Sequence, residues 1–499
     1  MFFRPYTVYF YYVVSCASMG PAAESYKRGE QPMKTRRLTK KEMRIFAVGQ
    51  LGWSILGGLI NAWLVTFYLP TEQDIAKGAH FYLPTGLIIF GILTILGLIA
   101  FICRIFDAVT DPWIASLSDR STNPKGRRIP FMKRAAVPFA LITVLVFFAP
   151  VNGVSGVNIA WVLCTLILFY LFMTMYCTPY NALISEFGKT QEDRMYISTA
   201  ISLTFFFGTL IAYLPFVFAG VLQGMAVSFA WSYRACFIVL AALALICMLI
   251  PVFKLNEKEF VDAVPSESNA IKSLAKTFQN KDFVKFAASD IAYWIGLTLF
   301  QTGLPFFVKV SMELDASFAM YFLGGMTVLS ACFYPIVSKL VAKFGKKKLV
   351  ITGFLGLALA YVVTALIGVI PGFKGIVPGA LIVIISAFPM ALLGIIPQAI
   401  VADVAEEDAI VTGEKREGMF FAARTFAMKM GQSVAMLVFT SLAVLGTTQD
   451  LKSNDLTASP IGLRIVAIVA ICFCVLGAVI LAAYDEKKVM KTINDNADR

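Results

Sequence analysis

Apolar residues in this chain of 499 residues do not alternate with polar ones, nor do they trace one stripe of a helix; they come in unbroken blocks. The runs 349–370, 376–400 and 461–484 are each about twenty residues long, enough at ~1.5 Å per residue to cross a ~30 Å hydrocarbon layer. Reading such blocks between charged or Pro/Gly-rich breaks predicts twelve spans, beginning near residues 45, 84, 130, 157, 195, 233, 284, 317, 349, 376, 418 and 461. In lipid the backbone must satisfy its own hydrogen bonds, so each block is predicted helical and the expected fold class is an all-α membrane protein.

Composition narrows the function. The chain is 58% hydrophobic and 15% charged, whereas soluble domains run at roughly half apolar and a quarter charged. A single histidine, His80, excludes a three-histidine metal site and argues against histidine-based catalysis. There is no phosphate-cradling glycine loop and no nucleophile beside a base, so neither an enzyme nor a cofactor is expected. All nine cysteines fall in apolar stretches and read as buried thiols without a disulfide framework.

The net charge of +12 becomes informative once it is mapped onto the breaks. Residues 27–44 and 119–134 carry eight and six Lys/Arg, 254–285 six, and 339–348 five, all on one side of the twelve-span plan. The opposite loops offer Lys77, Lys309, Lys374 and Lys452. By the positive-inside rule the basic face is cytoplasmic and holds both termini. The expected location is the plasma membrane, or the inner membrane of a bacterium, as a multi-pass protein. The basic residues are scattered over short loops without stacking aromatics, so nucleic acid is not an expected partner. Residues 1–42 form an N-terminal extension, read either as an over-extended start with Met33 as the natural beginning or as an interfacial cytoplasmic segment; Val13-Val14-Ser15-Cys16 has the look of a lipoprotein cleavage box.

A hydrophilic stretch at 254–283 divides the spans into a bundle at 43–253 and another at 284–484, followed by a tail at 485–499. The halves echo each other. Asp119-Arg120 and Gly126-Arg127-Arg128 follow the second span, and Lys343-Phe344-Gly345-Lys346-Lys347-Lys348 follows the eighth; Glu186 closes the fourth span and Asp403 the tenth. Two pseudo-symmetric six-helix bundles are the plan of a rocking secondary transporter with substrate near the midplane. The Asp-Arg…Gly-Arg-Arg loop resembles the signature of the major facilitator superfamily. That resemblance implies gating, with Asp119, Arg120, Arg127, Arg128 and the in-span Arg104 exchanging charge partners between access states.

Ionisable residues inside spans are costly and usually functional. Arg104, Asp107 and Asp111 are spaced by three and four residues, on one helical face of the second span, and Lys429 lies in the eleventh. Two carboxylates in a low dielectric must share a proton, hold a cation or meet a basic group. An oxygen-rich pair suits a small hard cation such as Na⁺ and serves equally for H⁺; a static ion-pair network with Arg104 and Lys429 is the alternative.

Arg104-Ile-Phe-Asp107-Ala-Val-Thr-Asp111-Pro112, Gly126-Arg-Arg-Ile-Pro130, Pro179-Tyr-Asn-Ala-Leu to Glu186, and Arg416-Glu-Gly418 followed by Lys429-Met-Gly-Gln432 resemble the glycoside–pentoside–hexuronide:cation symporter family from about Met43 to Tyr484. The resemblance implies a cation-coupled sugar or glycoside symporter working by alternating access, a monomer whose partners are a small solute, a monovalent cation and the bilayer. It implies that Asp107 and Asp111 bind the coupling cation (Na⁺ or H⁺) with Thr174, with Lys429 between the cation and substrate sites. Cys177 stands where the melibiose carrier has a fourth-helix aspartate, Ser54 where it has a first-helix aspartate, and Asn181 where it has a tryptophan. A fifth-helix arginine of that carrier falls close to Ser202, so three charged sugar ligands are missing, leaving Ser54, Asn61, Tyr180, Asn181, Trp294, Gln301, Arg424 and Lys429 as candidate substrate contacts. Their loss also leaves open a carrier of a lysolipid or anionic solute, or an uncoupled facilitator.

Overall fold

The computed structural model describes residues 36–497 apart from 88, 90–91, 120, 122, 124–125, 261–275, 414–416, 448–449 and 452. Arg120, Cys16 and the segment 1–35 therefore lie outside the described residues, as does the side chain of Asp119. Twelve long helices among the described residues form two bundles. The first contains α1 (Lys40–Tyr68), α3 (Ile95–Asp119), α4 (Ile129–Leu145), α5 (Gly156–Phe187), α6 (Gln191–Ile211) continued by α7 (Pro215–Gly224), and α8 (Phe229–Lys254). The second contains α10 (Lys281–Phe306) with a π-helical turn at Phe307–Ser311, α11 (Phe318–Phe344), α12 (Lys346–Leu366), α13 (Ile376–Thr412), α14 (Glu417–Leu442) and α15 (Pro460–Ala482). Short helices α2 (Glu72–Ala76) and α9 (Glu257–Phe260) lie between them, and α16 (Glu486–Ala497) follows.

Nine of the long helices are long and apolar enough to cross a membrane among the described residues. The other three have physical reasons not to stand out: α4 has only 17 residues, Arg104, Asp107 and Asp111 crowd α3, and Lys429 and Gln432 dilute α14. Polar side chains set the ends. Thr39 and Glu42 make a capping box on α1, Asn280 accepts from the backbone of Asp282 and Phe283 on α10, and Ser459 accepts from Gly462 on α15.

Two expectations need correction. The second span starts at Ile95, not near 84: the apolar run is continuous, but Thr94 accepts from Gly97 at the helix start, and the loop before it bonds sideways, Leu87 N–H to the Leu451 carbonyl. The cysteines are not uniformly buried. Cys103, Cys247 and Cys474 are, whereas Cys164, Cys332 and Cys472 are exposed on helix faces, where a membrane-spanning helix meets lipid at no cost to a thiol.

The bundles meet along α3 against α14, α1 against α10, and α6 against α11. Gly97 makes the first contact close, because a Cβ there would strike the Thr440 hydroxyl; small residues at helix crossings serve this purpose in membranes. The sequence echo becomes a structural one at the face where the described residues begin and end, before α1 and at α16. In the first half Gly126, at φ +115°, precedes Arg127 and Arg128, whose guanidinium groups bond Glu186 of α5 at 3.0 and 2.7 Å. Glu257 of α9 accepts the N–H groups of Arg127, Arg128 and Ile129 at 2.8–2.9 Å, capping α4. In the second half Gly345, at φ +81°, precedes Lys346, whose ammonium bonds Asp403 of α13 at 2.5 Å, while Glu486 accepts the N–H groups of Lys346 and Lys347.

Glu257→Ala leaves three helix-end donors unpaired and should cost about 1–3 kcal/mol, read as a lower apparent melting temperature of the purified protein. Lys258→Ala on the same short helix is the control; an equal drop there would show that the helix, not the cap, carries the effect.

Candidate functional site

The steps of three and four residues along α3 turn Arg104, Asp107 and Asp111 toward α5 and α14. Lys429 of α14 reaches across the bundle interface and bonds both carboxylates, at 2.9 Å to Asp107 and 2.6 Å to Asp111. Thr174 of α5 lies with its hydroxyl 2.9 Å from the Asp107 carboxylate and 3.3 Å from that of Asp111. Thr178, one turn on, lies 3.4 Å from Asp111. Arg104 donates to Asn61 of α1 at 2.8 Å, stacks over Tyr170 and stands 3.8 Å from Asp107. Two cations thus balance two anions, which is what makes such a cluster tolerable in a low dielectric.

The balance is uneven in detail. Asp107 is fully buried, and its Oδ2 has no hydrogen-bond donor; Asp111 keeps 26% of its side chain exposed. A buried carboxylate oxygen without a donor is expensive, and it is an oxygen available to a cation. With the second carboxylate and the Thr174 hydroxyl, the residues present fit a small hard monovalent cation or a shared proton.

A cavity of about 520 Å³ lies between the bundles, within the roughly 300–1,000 Å³ of small-molecule sites. Its polar lining includes Gln50, Asn181, Gln301 and Gln398, and its aromatic lining Trp53, Phe205, Phe206 and Tyr334. Its lining includes no Asp, Glu, Lys or Arg among the described residues.

The predicted residues therefore divide. The structure brings Asp107, Asp111, Thr174, Arg104 and Lys429 together, with Cys177 one turn from Thr174 on α5. It sets Asn181 and Gln301 on the cavity wall. Ser54 is buried and accepts from Gln50 at 2.9 Å, so it supports the wall through a neighbour. Tyr180 is buried against Phe46 and donates to the Phe46 carbonyl. Arg424 pairs with Asp290 of α10 at 3.0 Å, and the Trp294 indole donates to the same carboxylate, so that guanidinium already has its anion.

Asp290, buried well inside α10, is a further in-span charge beyond the four that the sequence singles out. Lys309 reads in sequence as a residue of the loops opposite the basic face. It is buried in the π-turn that ends α10, 2.8 Å from both oxygens of Asp74 on α2, and Gln73 bonds its carbonyl. This pair joins the bundles at the face opposite the termini, as do Thr94 to Thr440 and Leu87 to Leu451.

Two pseudo-symmetric helical bundles enclosing a polar cavity, with a charge cluster across their interface, define a membrane transporter of the major facilitator type. The MFS/sugar transport protein family matches residues 45–485, and the chain belongs to it, in the glycoside–pentoside–hexuronide:cation symporter group that the motifs resemble. Its relatives include the isoprimeverose transporter of Lactiplantibacillus pentosus, 24% identical over 69% of this chain and 71% of that protein. An uncharacterized symporter, YjmB, of Bacillus subtilis (strain 168) is 24% identical over 82% of this chain and 84% of its own length. In fold, the crystal structure of a D-xylose-proton symporter superposes with a TM-score of 0.60 at 15% identity, over 89% of this chain and 97% of that one. The protein is a multi-pass transporter, not an enzyme.

Proposed function

We propose that the protein imports a neutral sugar or glycoside together with Na⁺ or H⁺, the face that carries its termini being cytoplasmic. The observation that supports this most is Lys429, held on both Asp107 and Asp111 from the opposite bundle, beside a cavity of amides and aromatic rings. A cation entering between the carboxylates adds a third positive charge to a balanced cluster and loosens Lys429. Because that lysine belongs to the other bundle, the same event weakens a bond across the interface that rocking must shear. Amides donate to and accept from sugar hydroxyls, and ring faces pack on the sugar's C–H surface. An anionic head group would find no lysine or arginine among the lining residues of the cavity, and Arg424 is neutralised by Asp290.

Thermal-shift measurements on purified protein with sugars, glycosides, uronates and lysolipids, each in Na⁺ or K⁺ and at two pH values, test the reading. Stabilisation by a neutral glycoside that strengthens with Na⁺ or H⁺ is expected; stabilisation by a lysolipid and by no neutral sugar or glycoside overturns it. Asn181→Ala and Gln301→Ala should each weaken the stabilising sugar about tenfold, as loss of one or two hydrogen bonds implies. Na⁺-dependent stabilisation in the absence of sugar should survive both changes.

A further inference from the structure

A second cavity, larger than the midplane one, lies elsewhere. It has a volume of about 960 Å³ and is formed by loops at the face opposite the termini. His80 and Tyr82 come from the loop after α2, Asn152 from the loop between α4 and α5, Trp231 and Arg234 from the start of α8, and Asp455 from the loop before α15. Both halves of the molecule contribute, and nothing in the coupling scheme uses this space.

Arg234 is the unusual wall residue. It is 8% exposed, and its guanidinium lies 4.8 Å from the Phe148 ring centre, 5.8 Å from those of Tyr82 and Trp231, and 6.0 Å from that of Phe67. Its Nε donates to the Phe147 carbonyl at 3.0 Å. No carboxylate oxygen among the described residues lies within ion-pair distance of it, although every other strongly buried lysine or arginine described above has one. Arginine carries five N–H donors, so four remain after the Phe147 bond.

A brace to the end of α4 explains the Nε bond but not the rest. Rings cover the guanidinium faces, which leaves its edge, and the two-donor edge of a guanidinium matches two oxygens of one oxyanion. The wall is built as well as charged. Asn158, fully buried, donates to the carbonyls of Tyr82, Val151 and Gly153 and accepts from the Val151 N–H, fixing two of the loops that frame the cavity. Asp455, the one carboxylate among its lining residues, is held by the Ser453 hydroxyl and stands beyond ion-pair reach of Arg234.

We propose that this outer cavity is a binding site for a small oxyanion, with Arg234 as its principal ligand, separate from the midplane site. The shared chemistry is a carboxylate, sulfate or phosphate group, either as a free ion or carried on a sugar acid.

The test is a thermal-shift titration of purified full-length protein with sulfate, phosphate, glucuronate and, as the uncharged control, glucose, all at constant ionic strength. The wild type should show saturable stabilisation by the oxyanions. Sulfate and phosphate also stabilise proteins by exclusion from their surface, so the decisive quantity is the difference from Arg234→Gln. That variant should lose the saturable component, with affinity falling at least about tenfold as loss of a charge-assisted bidentate bond implies; Arg234→Lys should recover part of it. Asp455→Asn removes the opposing charge without touching the cage and should tighten binding about threefold, which keeps the proposal testable where the Arg234 variants fold poorly. Response to glucuronate but not to inorganic ions identifies the ligand as a sugar acid, and the reverse identifies a free ion. Equal titrations for wild type, Arg234→Gln and Asp455→Asn, or no saturable response in the wild type, overturn the site. None of these outcomes depends on Asp107 or Asp111, so the failure of this site and the failure of the coupling scheme are distinguishable.

Discussion

Proteoliposomes carrying Asp107→Asn/Asp111→Asn are expected to lose concentrative uptake by about a hundredfold or more, while counterflow exchange of the same solute persists at a reduced rate. Asn keeps the shape of each side chain and removes its charge, so the α3–α5–α14 contact keeps its volume. What is lost is the anionic oxygen pair that a cation requires. Concentrative uptake needs the cation gradient and should vanish; exchange needs only the rocking of the loaded carrier. Charge balance supplies a second arm. Asp111→Asn alone leaves Lys429 and Arg104 facing one carboxylate, and an uncompensated buried charge costs about 3–5 kcal/mol. Adding Lys429→Gln restores neutrality, so the double variant should recover melting temperature over Asp111→Asn without recovering accumulation. Stability measures the ion pairs and accumulation measures the coupling. Wild-type accumulation by the Asp107/Asp111 double variant would show that the cluster is only a static strut.

The sequence made the cluster legible because charge inside an apolar block is rare enough to notice, and the three- and four-residue steps along α3 left one geometry for it. The partner helices came from the family resemblance, since nothing in the local pattern of α14 says that Lys429 turns toward α3. Residues at the ends of blocks were harder to read. Lys309 lies buried in the turn that ends α10, but hydropathy fades there and charge is ordinary, so it reads as a loop residue. Glu257 and Glu486 were hidden for another reason: they act by accepting backbone N–H groups of a loop more than a hundred residues away, a relation without periodicity. The repeat of Gly–basic–basic with Glu186 and Asp403 was visible in sequence, and only its third member was missing. The uncharged lining of the midplane cavity was half visible, as the absence of three charged sugar ligands.

The second large effect is expected at the Asp74–Lys309 pair. Both side chains are buried, and the pair ties the loop of the first bundle to the end of α10 at the face opposite the termini, so this end cannot open without breaking it. Asp74→Asn leaves the Lys309 ammonium buried without its anion, a cost of about 3–5 kcal/mol that the protein escapes by exposing the lysine to water. A shift of that size turns a minor open state into a major one. Leu87→Cys, buried and bonded through its backbone to Leu451 in this state, reports the opening. In a background with the native cysteines replaced, its labelling by a membrane-impermeant maleimide should rise at least about tenfold when Asp74→Asn is added, by the same arithmetic. The pH dependence has a definite sign. Burial alone would raise the Asp74 pKa, but the Lys309 charge and the Lys309 and Thr71 hydrogen bonds hold it below its ordinary 3.8. A depressed carboxylate contributes its full stabilisation above the ordinary value and loses it as pH falls through the depressed one. Wild-type labelling, divided at each pH by that of a fully exposed cysteine to cancel the thiol's own ionisation, should therefore stay flat from about pH 8 to about pH 5 and rise only under stronger acid, whereas Asp74→Asn should be open throughout. Equal labelling of the two at neutral pH would mean that the Thr94–Thr440 and Leu87–Leu451 bonds hold this face shut without the ion pair.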